Sequence, residues 1–195
     1  MIMALDLIRS RLDAHEPTLL PSEGLTASAV LVPLFHDADG RLRVLFTVRT
    51  DKVGSHRGQV SFPGGVIDPG DASAEGAALR ELHEELGVPP ETVSLLGRVS
   101  DYPTITGYLI TPFVGYLGRE PPLVPHAHEV AEVFGVPLDD LLSGAVAGTT
   151  EVWQWEGHER AIYFYPWGPH RIWGATAAIL HEFLAALDGA DHADT

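Results

Sequence analysis

Apolar and polar positions alternate in short blocks along most of this chain, and only a few stretches carry helical spacing. Thr26–Phe35 and Arg43–Arg49 are rich in Val, Leu and Phe, and the polar turn DADG divides them, which predicts a hairpin. Before them, Leu5, Ile8 and Leu12 recur at 3–4 spacing and predict a short helix over Met3–Ala14, ended by Pro17 and Pro21. Residues 50–61, TDKVGSHRGQVS, are polar with two glycines and read as a loop with a short strand at its end. Ser73–Leu86 is the clearest helix. Ala74, Ala78, Leu82 and Leu86 form its apolar stripe, Asp71 or Ser73 can cap its start, and Gly87 can end it.

Further strands are predicted at Val93–Val99, Tyr108–Tyr116 and near Glu129–Val136, then a short helix opened by Pro137. Glu151–Trp155 and Arg160–Tyr165 read as a second hairpin across EGHE, and Ala175–Leu187 as a closing helix. No repeat or long linker divides the chain. These elements predict one α/β domain over residues 1–195, with a mixed sheet covered on both faces. Residues 1–24 form an N-terminal helix and connection in this reading, and residues 188–195 a mobile tail.

Composition narrows the partners. Zero cysteines exclude disulfides and thiolate chemistry and fit a cytoplasmic enzyme. No apolar run approaches the roughly 20 residues a bilayer needs, and the amphipathic, acid-containing start is unlike a signal peptide, so no membrane partner is expected. A formal net charge of −15 argues against nucleic acid as a partner. An anionic ligand would need another attractor, and a divalent cation held by carboxylates supplies one.

The carboxylates for that role stand on the clearest helix. Glu81 and Glu85 are one turn apart on one face and Glu84 borders it, although like charges at this spacing repel by roughly 0.2–0.5 kcal/mol per pair. Mg²⁺ at phosphate sites takes one or two carboxylates plus water and substrate. Gly64-Gly65 upstream lets the backbone turn tightly and bring a carbonyl or N–H close to an ion or phosphate. Arg80 can pair with Glu84 or another carboxylate of the group and fix its rotamer. Three glutamates alone more often mark a solvated acidic face. The glycine pair ahead of Arg-Glu-x-x-Glu-Glu is what changes that reading.

RELHEELGV, Arg80 to Val88, resembles the REUxEExGU ending of the Nudix box (U an aliphatic residue) at every defined position. Upstream, the usual G-x5-E-x7-R becomes Gly65, Asp71 and Arg80, with Asp for Glu and one extra residue. LFTVRTDKVGSHRGQVSFPGG, Leu45 to Gly65, is similar to the LLTxR[SA]x3Rx3Gx3FPGG signature of coenzyme A diphosphatases. It departs at Phe46, Thr50 and Gly54, the last where an Arg is expected, with Lys52 and Arg57 nearby. DPGDAS and EVAEVFGVPLDDLL, Glu129 to Leu142, are also similar to that subfamily.

The resemblance implies a Nudix-type α/β/α sandwich with the N-terminal helix and the C-terminal hairpin and helix added. It implies Mg²⁺- or Mn²⁺-dependent cleavage of coenzyme A to 4′-phosphopantetheine and 3′,5′-ADP. Another nucleoside diphosphate derivative (ADP-ribose, a dinucleotide or a damaged dNTP) and a non-catalytic nucleotide-binding module are the alternatives. It carries Glu81, Glu84 and Glu85 over as metal ligands, with Gly65 as a backbone ligand and Asp71 and Arg80 as structural support. The proton acceptor is Glu81 with Glu84 in its group, or Glu129, which ranks above Glu132. Arg49, Lys52, Arg57 and Gly64 are the candidate substrate contacts.

His126 and His128 lack a third ligand at recognisable spacing, so a transition-metal site is not inferred. Trp153, Trp155, Tyr163, Tyr165 and Trp167 alternate as strand residues do, and suit a core or a dimer interface better than adenine stacking. Either a monomer or a homodimer is compatible with them.

Overall fold

The computed structural model describes residues 4–51, 58–146, 148–155 and 158–189. Alternation within the apolar runs makes strands that bury both faces. In β1 (Thr26–His36) Ala29 and Leu31 join one buried cluster while Val32 and Leu34 join the other. In β2 (Leu42–Arg49) Leu45 belongs to the first cluster, and Val44 and Phe46 to the second. A sheet with two apolar faces needs a cover on each. α2 (Ala74–Leu86) covers the first with Ala77, Ala78, Leu82 and Leu86. α1 (Leu5–Ala14) and α4 (Gly174–Asp188) cover the second with Ile8, Leu12, Leu180, Phe183 and Leu187. The expected α/β/α sandwich results.

The sheet is mixed. β7 (Tyr108–Arg119) runs parallel to β1, while β5 (Ser94–Arg98) and β6 (Tyr102–Pro103) pair antiparallel with β7. β8 (Val130–Pro137) pairs antiparallel with β2 and leads directly into α3 (Leu138–Leu142), with Pro137 at its cap. β1 and β2 pair only near their hairpin, from Leu34–His36 to Leu42–Val44, and then part. β3 (Val60–Ser61) on β2 and β4 (Gly64–Val66) on β1 fill the gap. Leu31 donates its N–H to Pro63 O at 2.9 Å. Pro33 faces the same way two residues on, and has no N–H to strand at the fork.

β9 (Thr149–Trp155), β10 (His158–Trp167) and β11 (His170–Trp173) form a separate antiparallel sheet against α4. The hairpin expected here is present, but its third strand is not foreseen by the pattern, because Pro166 and Pro169 read as breakers. Pro166 is tolerated because β9 pairs only as far as Phe164, which leaves Pro166 one neighbour, Arg171. Helix α4 runs to Asp188 and ends on Gly189 in the left-handed region (φ 70°), so the expected tail starts later than 188. Residues 1–3 and 190–195 lie outside the described residues. No helix among the described residues is long and apolar enough to cross a membrane.

Candidate active site

Helix α2 starts where Ser73 Oγ accepts the Gly76 N–H at 3.0 Å, and ends where Gly87 takes a left-handed φ of 71°. That phase turns Ala78, Leu82 and Leu86 inward. Glu85, seven residues after Ala78, falls within the same stripe and is 3% exposed. Burial pushes its carboxyl up to about 8, against the opposing effects of a hydrogen bond from the Gly64 backbone and the Arg49 charge. The charges of Glu81 and Glu129 raise it further. Glu81, partly buried, is also raised by burial, opposed by Arg80, with Glu84 and Glu129 adding repulsion. Glu81, Glu85 and Glu129 therefore share one electrostatic site although Glu129 comes from a different segment.

Arg80 organises the outer half. Its guanidinium donates to Asp71 Oδ1 and Oδ2 at 2.9 and 3.0 Å, a bidentate pair. It also donates to Glu81 Oε1 at 2.9 Å, Glu84 Oε2 at 3.1 Å and Val66 O at 3.1 Å. The Arg80 hydrogen bond holds Asp71 below its usual range, helped by the Asp68 backbone. Asp71 thus reaches Arg80 despite the longer connection and shorter side chain. The extra residue is absorbed in a turn where Asp68 N–H meets Asp71 Oδ2 at 2.8 Å and Asp71 N–H meets Asp68 O at 2.9 Å.

The glycine pair corrects one expectation. Gly64 and Gly65 form strand β4 opposite Val30 and Ala29, rather than a tight turn. Their lack of Cβ serves close approach instead. A Cβ at Gly64 would lie 2.6 Å from Val30 Cγ1 and 2.7 Å from Val30 Cα, whereas one at Gly65 would lie 2.6 Å from Glu81 Cδ. Gly64 also holds Glu85 through its backbone, so its first partner is a carboxylate of the site.

Backbone bonds bring Glu129 to the helix. The terminal carbonyls of α2 are taken up by a distant loop: Val124 N–H donates to Leu86 O and His126 N–H to Glu85 O, both at 2.8 Å. On its other side, the buried Thr50 donates its N–H to Glu129 O at 2.9 Å and its hydroxyl to His128 O at 2.6 Å. Residues 124–129 are clamped between the end of α2 and the end of β2. Sequence reasoning missed Thr50, although a threonine at a departure from the signature was a signal. Glu129 Oε1 meets His126 Nδ1 at 3.3 Å. Glu132 turns away to His170 Nε2, at 3.2 Å. The two candidates are separated by this geometry.

Arg49, at the end of β2, lies close enough to stabilise the Glu85 charge, and its Nε is buried with no hydrogen-bond partner among the described residues. Lys52 and Arg57 lie outside the described residues. No three His, Asp or Glu side chains among the described residues are gathered tightly enough to cage a metal ion unaided. The donor set nevertheless fits a hard cation shared with a ligand. Its carboxylates are close in charge terms, one of them buried, and every donor atom is oxygen.

A mixed sandwich that sets a carboxylate-bearing helix behind a glycine corner has the architecture of a phosphoanhydride hydrolase. The chain belongs to the Nudix family, matching the NUDIX domain over residues 25–166. It is 38% identical over 183 residues to the uncharacterized Nudix hydrolase NudL of Photorhabdus laumondii, covering 93% of this chain and 96% of that one. It is 34% identical over 190 residues to Nudix hydrolase 3 of Caenorhabditis elegans, covering 89% and 78%. A MutT/nudix family protein from Enterococcus faecalis has a similar fold, with a TM-score of 0.57 at 21% identity over 97% of this chain and 72% of that one. The chain is a Nudix hydrolase, of the class acting on nucleoside diphosphate derivatives.

Proposed function

We propose that this hydrolase cleaves the diphosphate of coenzyme A, and of its derivatives, to 4′-phosphopantetheine and 3′,5′-ADP. The observation that carries it is the run Leu45–Gly65, which resembles coenzyme A diphosphatases in sequence. Its described parts supply Arg49, Thr50 and the β3–β4 corner on which Glu85 rests. Glu81 and Glu85, with Glu84 and the Gly65 carbonyl, would hold Mg²⁺ or Mn²⁺. The bound ion supplies positive charge to offset the diphosphate and acidifies a water. Arg80 keeps Glu81 and Glu84 in place, and Arg49 offers a guanidinium to the phosphate oxygens. Glu129 accepts the proton of the attacking water.

Purified protein with Mg²⁺ should turn over coenzyme A in preference to ADP-ribose or dNTPs. Product identification in ¹⁸O-labelled water would report the bond broken and the phosphorus attacked. Equal or faster turnover of the other compounds would remove the assignment.

Glu129→Gln should lower kcat by about 10²-fold, in the range of losing a general base, while Glu132→Gln should leave it within about twofold. Equal losses in the two variants would take the proton from Glu129.

A pH effect follows from Glu85. Its folded carboxyl is raised, so between about 4.5 and about 8 the metal-free protein holds a proton that the unfolded chain releases. Stability of the metal-free protein should fall as pH rises through that window and level off above it. Because the ligand form is the carboxylate, metal binding at pH 7 should release close to one proton. Calorimetry in two buffers of different ionisation enthalpy measures this, and no buffer dependence would count against Glu85 as a ligand.

A further inference from the structure

Beside the glycine corner lies a cavity of about 470 Å³, within the size range of small-molecule sites. Scattered apolar residues on a surface need no explanation, but a gathering of them does. Of the nine large hydrophobic side chains exposed among the described residues, five line this one cavity: Val66, Ile105, Tyr108, Trp153 and Trp173. They come from β4, the β6–β7 connection, and the C-terminal sheet, so the fold assembles the patch from distant segments.

The cavity is poor in charge and in free polar groups. Arg49 is its one charged residue among the described residues, and it stands at the end that holds Glu85. The hydroxyls in its wall already have protein partners. Ser28 Oγ donates to Leu109 O at 3.1 Å, and Ser61 Oγ meets Thr47 Oγ1 at 3.0 Å. Thr104 Oγ1 accepts from Tyr108 N–H at 3.0 Å, and Thr176 Oγ1 donates to Val60 O at 3.2 Å. A phosphate-bearing nucleoside would find few partners deep in such a wall. An uncharged chain attached to the diphosphate would lose nothing on entering and would bury apolar surface.

We infer that this cavity binds an uncharged, apolar group carried on the arm of the diphosphate ester remote from the nucleotide, with Ile105, Trp153 and Trp173 setting the preference for it. For a coenzyme A ester this group is the acyl chain. The inference rests on the function proposed above for the identity of the arm, but the wall itself is read from the structure.

The test compares free coenzyme A with straight-chain acyl-coenzyme A esters from acetyl to decanoyl, and with ADP-ribose, in the presence of Mn²⁺. kcat/KM should rise with chain length by up to about fourfold per buried methylene until the cavity fills. In Ile105→Asp, a substitution on an exposed connection, the decanoyl-to-free ratio should collapse toward one. Trp153→Ala should lower it part of the way. Unchanged melting temperatures show that the variants fold. A flat series in the wild-type enzyme overturns the inference, as does a variant that slows every adenine-bearing substrate equally, which would place the base there. A variant that splits a dimer and leaves the chain-length series intact also overturns it, in favour of a self-association surface.

Binding of decanoyl-coenzyme A in EDTA, followed by tryptophan fluorescence, separates the two claims. If no coenzyme A ester is hydrolysed but binding is saturable, grows with chain length and is lost in Ile105→Asp, the cavity inference stands and the proposed function falls. Hydrolysis without such binding does the reverse.

Discussion

Glu85→Gln should reduce kcat by at least about 10²-fold, on the scale of losing a principal electrostatic stabiliser, and leave the protein folded. The two halves of this expectation come from one feature. Glu85 is a carboxyl standing in the apolar stripe of α2, 3% exposed, where an alanine or leucine would serve packing better. Burial raises it to about 8, so at neutral pH the metal-free protein carries it protonated, with nearly the shape of glutamine. The amide therefore imitates the resting state. It should keep the melting temperature at pH 7 and improve it above pH 8, where the native carboxylate is charged against Glu81 and Glu129. Activity should be lost because an amide cannot supply the negative charge that a divalent cation needs. Thermal melts at pH 6, 7 and 9 beside steady-state kinetics check both halves. Full turnover in the variant would remove Glu85 from the ligand set.

The glycine corner gives the second large effect, and its two positions should fail differently. Alanine at Gly64 would press its Cβ into the main chain of β1, with Val30 Cα at 2.7 Å and the Ala29 carbonyl oxygen in its path. Backbone in a central strand cannot yield without breaking the β4–β1 ladder, so Gly64→Ala should cost about 3 kcal/mol or more, at the upper end of single substitutions. Alanine at Gly65 meets only the Glu81 carboxyl group, the far end of a flexible side chain. Gly65→Ala should fold with a near-normal melting temperature while Glu81 swings aside, lowering kcat by roughly 10²-fold, as a misplaced catalytic group does. Urea unfolding and kinetics on the two purified variants distinguish them. Loss of stability in both, with no separate loss of activity, would mean that Gly65 serves the strand alone.

This corner also shows how far the sequence could be read. Helix α2 was legible because its apolar period, Ser73 cap and Gly87 stop all agree on one phase. The acidic cluster followed from that phase, as did the pairing of Arg80 with carboxylates. The role of Gly64 and Gly65 was not, since two glycines fit a turn and a crowded strand equally well until the neighbouring chain is known. The same holds for β11, whose flanking prolines read as breakers unless one knows that β9 has already stopped. Glu129 could be ranked above Glu132 by motif alone. The reason for it, two main-chain clamps from Thr50 and the end of α2, involves residues about 40 to 80 positions apart and leaves no local pattern. The parting of β1 and β2 is likewise a consequence of tertiary pairing rather than of either strand's composition.

The clamp on residues 124–129 bears on how this site can drift over generations. Its hold on α2 consists of the amides of Val124 and His126, which any residue but one can provide. Side chains at 124 and 126 are thus open to exchange in descendants, provided neither becomes proline. The chain already places prolines at 121, 122 and 125, each sparing those two amides. A lineage can recolour this loop freely while the distance between its acid and the helix stays written in the main chain.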